Sequence, residues 1–482
     1  MPPLTIISLI FPPTIYLAGH WKLWTARVIA LATLGVMWIL FISLVRDLIS
    51  VNPNVTTYTQ GIVSFHFDYL SVLITAVVLA LSTLITVYSM KDIHDEAGEE
   101  KYYALVILLV GSVTSMVCAG DLFNLWMWFE ITGIACYLLV AFYSGRGDAL
   151  AACAKYFIQA ATGSIVVLFG IALVFAQTGS LDLAHIHIQS IPLMIVLGVI
   201  FIFGFGVKLA IVPLHSWLPD AYSQAPTGIS ALLSGAVTIS SLVVLLRMLA
   251  MLSGLALDWG SILVGFGTVN IVAGNLLALA QKDVKRILAY SSVSHIGFIL
   301  LAVGIGLFSH EIGGFQSGML HLVNHAVMKA LAFIAVGTVI YARFRPNTSL
   351  MIDDLAGLSK RDPITTFGVV IACLSLVGIP LLAGFMSKWQ IFAAGIATAN
   401  PVLIFLIVFA ALNSVFSLAY YFPIINAMFL PERIPPRRDV PVLMRVPIVL
   451  LTAGVIILGI YPDLLNWLVI PAGQRLMILF GG

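Results

Sequence analysis

Apolar residues recur along the whole chain in stretches close to 20 residues long, separated by short polar turns. A helix needs about 20 apolar residues to cross the hydrocarbon core of a bilayer. The pattern therefore predicts an all-α integral membrane protein with about fourteen transmembrane helices, built as a single domain over residues 1–482. The predicted spans are 4–19, 28–45, 67–90, 102–119, 121–143, 151–177, 190–213, 226–250, 260–281, 287–308, 315–342, 364–398, 401–430 and 446–470.

Two of these spans are interrupted in a way that predicts a polar interior. The seventh meets Pro213 near its end, and the twelfth is broken around Gly378 and Pro380. An interruption frees backbone groups that lipid cannot satisfy, so broken spans normally lie inside a bundle or line a wet cavity. We therefore expect two broken helices within the bundle.

Composition agrees with this prediction and excludes several classes of function. The chain is 61% hydrophobic and 9% charged, whereas soluble domains are about 25% charged. A formal net charge of +2 gives no reason to expect a nucleic-acid partner. The four cysteines lie in apolar segments without a Cys-x-x-Cys pair, so we expect no iron–sulfur cluster, metal site or other cofactor in this chain.

Positive charges predict the orientation of the chain. Loops that face the cytoplasm are enriched in lysine and arginine, and most of the 23 basic residues fall in the odd-numbered loops. We therefore predict a multi-pass protein of the cell (cytoplasmic) membrane with both termini outside. The basic residues of the odd-numbered loops are Lys22, Arg27, Lys91, Lys101, Arg146, Lys282, Lys285, Arg286, Arg343, Arg345, Lys360, Arg361, Arg433, Arg437, Arg438 and Arg445.

Four ionisable residues remain deep inside spans: Glu130, Lys208, Lys329 and Lys388. A charge near the bilayer centre costs about 2.5–3.5 kcal/mol on insertion scales, so four of them need a reason. Burial pushes such groups toward neutrality, which lets each load and release a proton. Paired charges that fix helix packing are the structural alternative. We favour a path for protons, because the four lie at similar predicted depths.

Histidines extend this path. His321, His325 and Lys329 stand at i, i+4 and i+8 on the eleventh span, which places them on nearly one helix face. Histidine exchanges protons near neutral pH, so this row suits a proton relay better than haem ligation. His295 on the tenth span, taken alone, is more typical of a hydrogen-bonded core histidine.

The two broken spans also predict an internal repeat. Lys208 and Lys388 each lie beside an interruption, and paired interruptions are the usual pointer to repeats with a site at the membrane midplane. We predict a first repeat over 102–250 and a second over 260–430. Since five spans reverse direction, the two repeats would be inverted.

Five stretches resemble one known family. They are 121–139 (DLFNLWMWFEITGIACYLL), 207–235, 281–300, 321–337 and 353–392. They resemble the antiporter-like subunits of respiratory complex I, the D-type subunit of Mrp cation/proton antiporters and the counterparts in membrane-bound hydrogenase-type complexes. The chain ends soon after the fourteenth span, which favours the M, N or D type over the L type.

The resemblance implies fourteen spans, two inverted five-helix repeats and a polar axis at mid-membrane. It assigns Glu130 to the family's glutamate and Lys208 to its partner lysine. It assigns the central relay and its far end to His295, His321, His325, Lys329 and Lys388. It assigns Asp220 to a half-channel entrance. The implied partners are related membrane subunits, small membrane subunits, protons and Na⁺.

One residue departs from the family pattern. Many members carry a second lysine on the eighth span, where this chain has Ile239. Water and the adjacent Ser240 and Ser241 could bridge the gap, or proton flow between the halves could be weakened. Three functions therefore stay open: a proton-translocating subunit of a redox or hydrogenase complex, an Mrp-type Na⁺/H⁺ antiporter subunit, and a structural paralogue. Enzyme chemistry, if any, would belong to other chains of an oxidoreductase complex.

Overall fold

The computed structural model of the chain describes residues 3–50, 55–60, 63–188, 190–253, 257–344, 348–431 and 438–481. Arg345, Arg433 and Arg437, which count toward the predicted orientation, lie outside these residues. The described chain is almost entirely helical, and its strands form one antiparallel hairpin in which Thr57 pairs with His66.

The first half runs from the amino terminus to the eighth span. Its elements are α1 (Pro3–Trp21), α2 (Leu23–Ser50), β1 (Thr56–Gln60), β2 (Val63–Phe67), α3 (Tyr69–Asp92), α4 (Glu99–Val117), α5 (Leu122–Val140), α6 (Gly147–Thr178), α7 (Ile191–Leu209), α8 (Leu218–Gln224), α9 (Thr227–Leu232), a π-helical turn (Leu233–Val237) and α10 (Thr238–Met251).

The second half contains ten further helices and two 3₁₀ turns. Its elements are α11 (Trp259–Leu279), α12 (Val284–Ser309), α13 (Ile312–Arg343), a 3₁₀ turn (Ile352–Leu355), α14 (Leu358–Arg361), α15 (Pro363–Val377), α16 (Ala383–Ala397), α17 (Pro401–Phe416), α18 (Leu418–Phe429), α19 (Val442–Ile460), a second 3₁₀ turn (Pro462–Leu465) and α20 (Asn466–Leu479).

The predicted membrane class is confirmed. Within the described residues, thirteen helical segments are long and apolar enough to cross a bilayer. The broken pair α15 and α16 adds a fourteenth crossing, as the interrupted twelfth span predicts. The inverted relation between residues 102–250 and 260–430 stays a prediction.

The predicted fourteenth span, 446–470, is two helices and not one. α19 ends at Ile460, a 3₁₀ turn begins at Pro462, and α20 continues from Asn466. Proline lacks a backbone N–H and cannot continue the hydrogen-bonded ladder, which accounts for the break. Pro462, Asp463 and Asn466 mark this break in the sequence, and the predicted span ran across them.

Aspartates set the start of five helices, one of which is α11, capped by Asp258. Asp68, Asp121, Asp283 and Asp362 are the N-cap residues of α3, α5, α12 and α15, and each side chain accepts a backbone N–H of the first turn. Such a cap satisfies an amide that the helix itself leaves unpaired.

The break between α7 and α8 is closed by side chains from the bundle. The Trp217 indole N–H donates to the Val207 carbonyl at 2.7 Å, and the Val212 amide donates to Asn270 Oδ1 at 2.9 Å. Ala210 in this break has φ 55°, and Leu381 in the other break has φ 70°. A left-handed backbone is uncommon outside glycine and persists where surrounding contacts impose it.

The bundle is centred on α13. This helix packs against α3, α9, α12, α15, α16, α19 and α20. His321, His325 and Lys329 on α13 are fully buried by these neighbours. The histidine row therefore lies in the core of the protein and not on its lipid-facing surface.

Candidate functional site

Lys208 lies at the end of α7, next to the turn of α5 that carries Glu130. The lysine is 1% exposed. Its Nζ donates to the Phe129 carbonyl at 2.7 Å and lies 3.8 Å from the centre of the Phe129 ring. Glu130 is close enough to act electrostatically on Lys208, but the two side chains do not form an ion pair among the described contacts. The structure thus places the predicted partners on adjoining turns with their charges unpaired.

Lys388 occupies the break of the other interrupted span. Its Nζ donates to the carbonyls of Leu376 at 2.8 Å and Val377 at 3.1 Å, and to Ser414 Oγ at 2.8 Å. The last carbonyls of a helix have no partner within it and carry a partial negative charge. The broken end of α15 therefore forms a cradle for the ammonium group, and the ring of Phe298 lies 4.9 Å from it.

Lys329 points from α13 to α12. Its Nζ donates to the Leu288 carbonyl at 2.8 Å and also to the Ser291 hydroxyl. Ser291 stands four residues before His295 on α12, so both side chains share one helix face. The lysine and the histidines are thereby joined across two packed helices.

The histidines form one cluster. His295 Nδ1 and His321 Nε2 are 3.1 Å apart, and His321 Nδ1 lies 2.8 Å from Ser387 Oγ. The His325 ring centre is 5.5 Å from that of His295. Ser387 directly precedes Lys388 in the chain, so the cluster leads from α12 across α13 to the second broken span.

His325 differs from the other two histidines. Its ring is completely buried, yet neither ring nitrogen has a hydrogen-bond partner among the described residues. A buried polar group without a partner is costly, which sets His325 apart from the other two histidines.

Asp220 lies away from this cluster, at the predicted cytoplasmic end of the bundle. Its carboxylate contacts Lys155 Nζ at 2.6 Å and Arg286 Nη1 at 2.9 Å. The three side chains are all partly exposed. Lys155 on α6 and Arg286 on α12 therefore share one carboxylate partner.

The structure adds residues that the sequence reasoning missed. Ser291, Ser387 and Ser414 each bind a predicted site residue through their hydroxyls. Two of these serines could have been found from the sequence, because Ser387 is adjacent to Lys388 and Ser291 stands four residues before His295. Nothing in the sequence points to Ser414, since it reaches Lys388 from a different helix.

The serines next to Ile239 use their hydroxyl protons within their own helix. Ser240 and Ser241 donate to the carbonyls of Ala236 and Val237 of their own helix. Ile239 is 1% exposed in the same helix, so the position of the missing family lysine lies in the core. Among the described residues no group of three or more His, Cys, Asp or Glu side chains is arranged to hold a metal ion.

Comparisons with known proteins give consistent results. A family described as "NADH:quinone oxidoreductase/Mrp antiporter, TM" matches residues 119–414. The chain is 30% identical over 447 residues to F(420)H(2) dehydrogenase subunit N of Methanosarcina mazei, covering 90% of this chain and 89% of that protein. It is 33% identical over 386 residues to NADH-quinone oxidoreductase subunit N of Desulforudis audaxviator, covering 75% of this chain and 74% of that protein.

A solved structure gives the same likeness in three dimensions. It is the membrane-bound sulfane sulfur reductase, described as an archaeal respiratory membrane complex. One of its chains superposes with a TM-score of 0.87 at 30% sequence identity, covering 98% of this chain and 97% of that chain.

Proposed function

Because the chain belongs to the NADH:quinone oxidoreductase/Mrp antiporter transmembrane family, we propose that it carries protons through the bilayer in a redox-driven complex. As a member of this family it is an antiporter-like, multi-pass membrane subunit whose partners are other membrane subunits. The proposed parent complex is of the respiratory complex I or membrane-bound hydrogenase type, in the cytoplasmic membrane.

The observation that carries the proposal is that three lysines and three histidines are buried inside the bundle. Lys208 and Lys388 each lie at a helix break, and Lys329 with the histidines lies between the broken spans. Each lysine Nζ is within hydrogen-bond distance of neutral acceptors. A lysine held by carbonyls can lose its proton without leaving an unpaired carboxylate behind.

The proposed mechanism couples charge at Glu130 to the proton on Lys208. At an effective dielectric constant of about 20, two charges about 4 Å apart interact by roughly 4 kcal/mol. Pairing Glu130 with Lys208 would increase the affinity of the lysine for its proton. Separating them, as the observed geometry does, would release that proton toward the histidine cluster and Lys388.

The names of the relatives favour a redox complex over an Mrp antiporter. F(420)H(2) dehydrogenase and NADH-quinone oxidoreductase are oxidoreductases by name, and both named relatives are their N subunits. The Mrp-type Na⁺/H⁺ antiporter remains the second candidate, because the family description includes it. Co-purified chains with iron–sulfur motifs would support the redox complex, and a purely membrane set would support the antiporter.

The test is proton pumping by the whole complex, purified through a tag on this chain and reconstituted in liposomes with a pH-sensitive dye. Pumping is driven by the redox substrates of the co-purified chains, or by a sodium gradient if none is present. We expect Glu130→Gln and Lys208→Ala each to reduce pumping about 100-fold, the lower end of what a positioned proton-transfer group contributes.

Matched controls are Glu311→Gln and Lys22→Ala, which make the same chemical changes at exposed positions. Both should pump at the unaltered rate. Normal pumping by the Glu130→Gln and Lys208→Ala complexes, assembled in normal amounts, refutes the proposed function.

A further inference from the structure

Position 239, where many members of the family carry a lysine, has no titratable side chain in this protein. Ile239 is apolar and buried there, so it can neither accept nor donate a proton. If protons move between the two halves, other groups at this junction must carry them.

A buried phenol lies beside this position. Tyr222 on α8 is 0% exposed, and its hydroxyl is 2.9 Å from Thr238 Oγ1, the residue next to Ile239. Thr238 donates its own proton to the Leu233 carbonyl at 2.7 Å. A hydroxyl has one proton to donate, so the Tyr222 hydroxyl must be the donor to Thr238, and its oxygen is left able to accept.

The π-helical turn Leu233–Val237 produces this arrangement. In a π turn the amide of residue i+5 bonds the carbonyl of residue i, and here the Thr238 amide bonds the Leu233 carbonyl. The same carbonyl accepts the Thr238 hydroxyl. Such turns are rare and are frequent at functional sites. Thr238 is therefore a positioning residue that fixes the phenol.

On the other side, hydroxyls lead from Tyr222 toward the histidines. The Ser234 side chain lies near the Tyr222 hydroxyl, and Ser234 Oγ is 3.0 Å from Ser292 Oγ on α12, which itself donates to the Leu288 carbonyl. Both serines are 0% exposed. Ser292 stands one helical turn before His295, and the backbone of Ser234 lies beside the ring of His325.

Toward Lys208, the neighbours of Tyr222 are polar as well. The thiol of Cys136 on α5 is fully buried and lies near both Lys208 and Tyr222. Trp217, whose indole binds the carbonyl of Val207 next to Lys208, has its ring 6.2 Å from that of Tyr222. Tyr222 is thus placed between the first lysine and the serines.

We infer that Tyr222, Ser234 and Ser292 form a series of hydroxyls that passes protons from Lys208 to His325, in the place of a lysine at position 239. This inference rests on the proposed function. The Lys208 ammonium gives a proton through water to the Tyr222 oxygen, and the phenol turns an O–H from Thr238 to Ser234 and gives that proton to it. Ser234 gives its own proton to Ser292, whose hydroxyl turns away from the Leu288 carbonyl and passes a proton through water to a His325 nitrogen. Each hydroxyl ends with one proton, Lys208 is neutral and His325 is charged.

The experiment compares Tyr222→Phe, Ser234→Ala and the double variant in the reconstituted complex. Each change removes one hydroxyl and little volume. Because the groups act in series, we expect each single variant and the double variant to slow pumping by the same factor, about 100-fold. The control is Tyr103→Phe, since Tyr103 is equally buried but its hydroxyl has no hydrogen-bond partner among the described residues.

Two results overturn the inference. One is normal pumping by Tyr222→Phe. The other is a double variant whose loss is the product of the two single losses, which is the behaviour of independent packing defects. The Glu130→Gln variant, measured in the same experiment, separates the two proposals. If Glu130→Gln stops pumping while Tyr222→Phe does not, the proposed function is supported and the hydroxyl series is refuted.

Discussion

The ammonium groups of Lys208, Lys329 and Lys388 are held by carbonyl and hydroxyl oxygens in the structure, without a carboxylate ion pair among the described contacts. Breaking a buried ion pair by removing one charge costs about 3–5 kcal/mol. No such penalty attaches to a change of protonation here, because each acceptor is neutral. Residue chemistry of this kind suits a group that gains and loses a proton in every cycle.

Position 239 gives a direct test at the residue scale. In the Tyr222→Phe background, we expect Ile239→Lys to restore pumping from the roughly 100-fold reduced level to near the unaltered rate, because a lysine there supplies a second proton carrier. Pumping by the complex in liposomes is the measurement.

The matched control for this rescue is Ile239→Lys alone, which should pump normally. The prediction fails if that control pumps while the double variant stays as slow as Tyr222→Phe. In that case the phenol of Tyr222 would act through packing and not through its hydroxyl.

At the scale of elements, α20 is tied to the start of α3 and the end of α10. Asp68 Oδ1 binds Arg247 Nη2 at 2.6 Å, and Asp68 Oδ2 binds Arg475 Nε at 3.0 Å. Burial works to raise the pKa of Asp68, but the charge and hydrogen bond of Arg247, with the charge of Arg475, lower that pKa to about 2. The carboxylate therefore stays ionised and holds three helices together.

We expect Asp68→Asn to lower the free energy of unfolding by roughly 2 kcal/mol at neutral pH, because a shift of nearly two pKa units corresponds to about that energy. A depressed carboxyl pKa stabilises the fold above the ordinary value, near pH 4, and loses this effect as the pH falls toward 2. The difference in unfolding free energy between the variant and the unaltered protein should disappear over that pH range. Thermal unfolding in detergent as a function of pH measures it.

The control is Asp148→Asn, at an exposed carboxylate in the first turn of α6. This variant should unfold at nearly the unaltered temperature across the same range. An Asp68→Asn deficit that persists unchanged at low pH would contradict the ion-pair explanation, because the protonated Asp68 carboxyl is then as uncharged as the asparagine amide.

At the scale of the whole molecule, the contact between α20 and Asp68 shows which end of the bundle α20 lies at, and so relates to the orientation of the chain in the membrane. Arg475 reaches Asp68, which precedes α3 at the end of the bundle predicted to face outward. The count of crossings, with α15 and α16 as one broken span, keeps Lys101 and Lys360 at the opposite end. The same side that holds Asp68 also holds Glu311 at the start of α13.

This arrangement predicts how cysteines react with a membrane-impermeant maleimide on intact cells. Glu311→Cys should be labelled, whereas Lys101→Cys and Lys360→Cys should be labelled only after the cells are opened, because positive charges are retained in the cytoplasm. The unaltered chain, whose cysteines are buried or partly buried, gives the background. The reverse labelling pattern would mean that the termini face the cytoplasm.

The sequence alone determined the membrane class, the breaks beside Lys208 and Lys388, and the ionisable residues that lie deep inside spans. These follow from local patterns: about 20 apolar residues make a span, and a charge within it stands out against that background. The shared face of His321, His325 and Lys329 also followed from helical spacing, because all three lie on one continuous helix.

Only the tertiary structure decided what these residues contact. Ser234 meets Ser292 from 58 residues away, and Arg475 meets Asp68 from 407 residues away. The separation of the Glu130 and Lys208 charges is equally outside the pattern, because the two residues lie on different helices. Hydropathy and periodicity report which face of a helix is buried, whereas the partner of a buried polar group depends on which helices pack together.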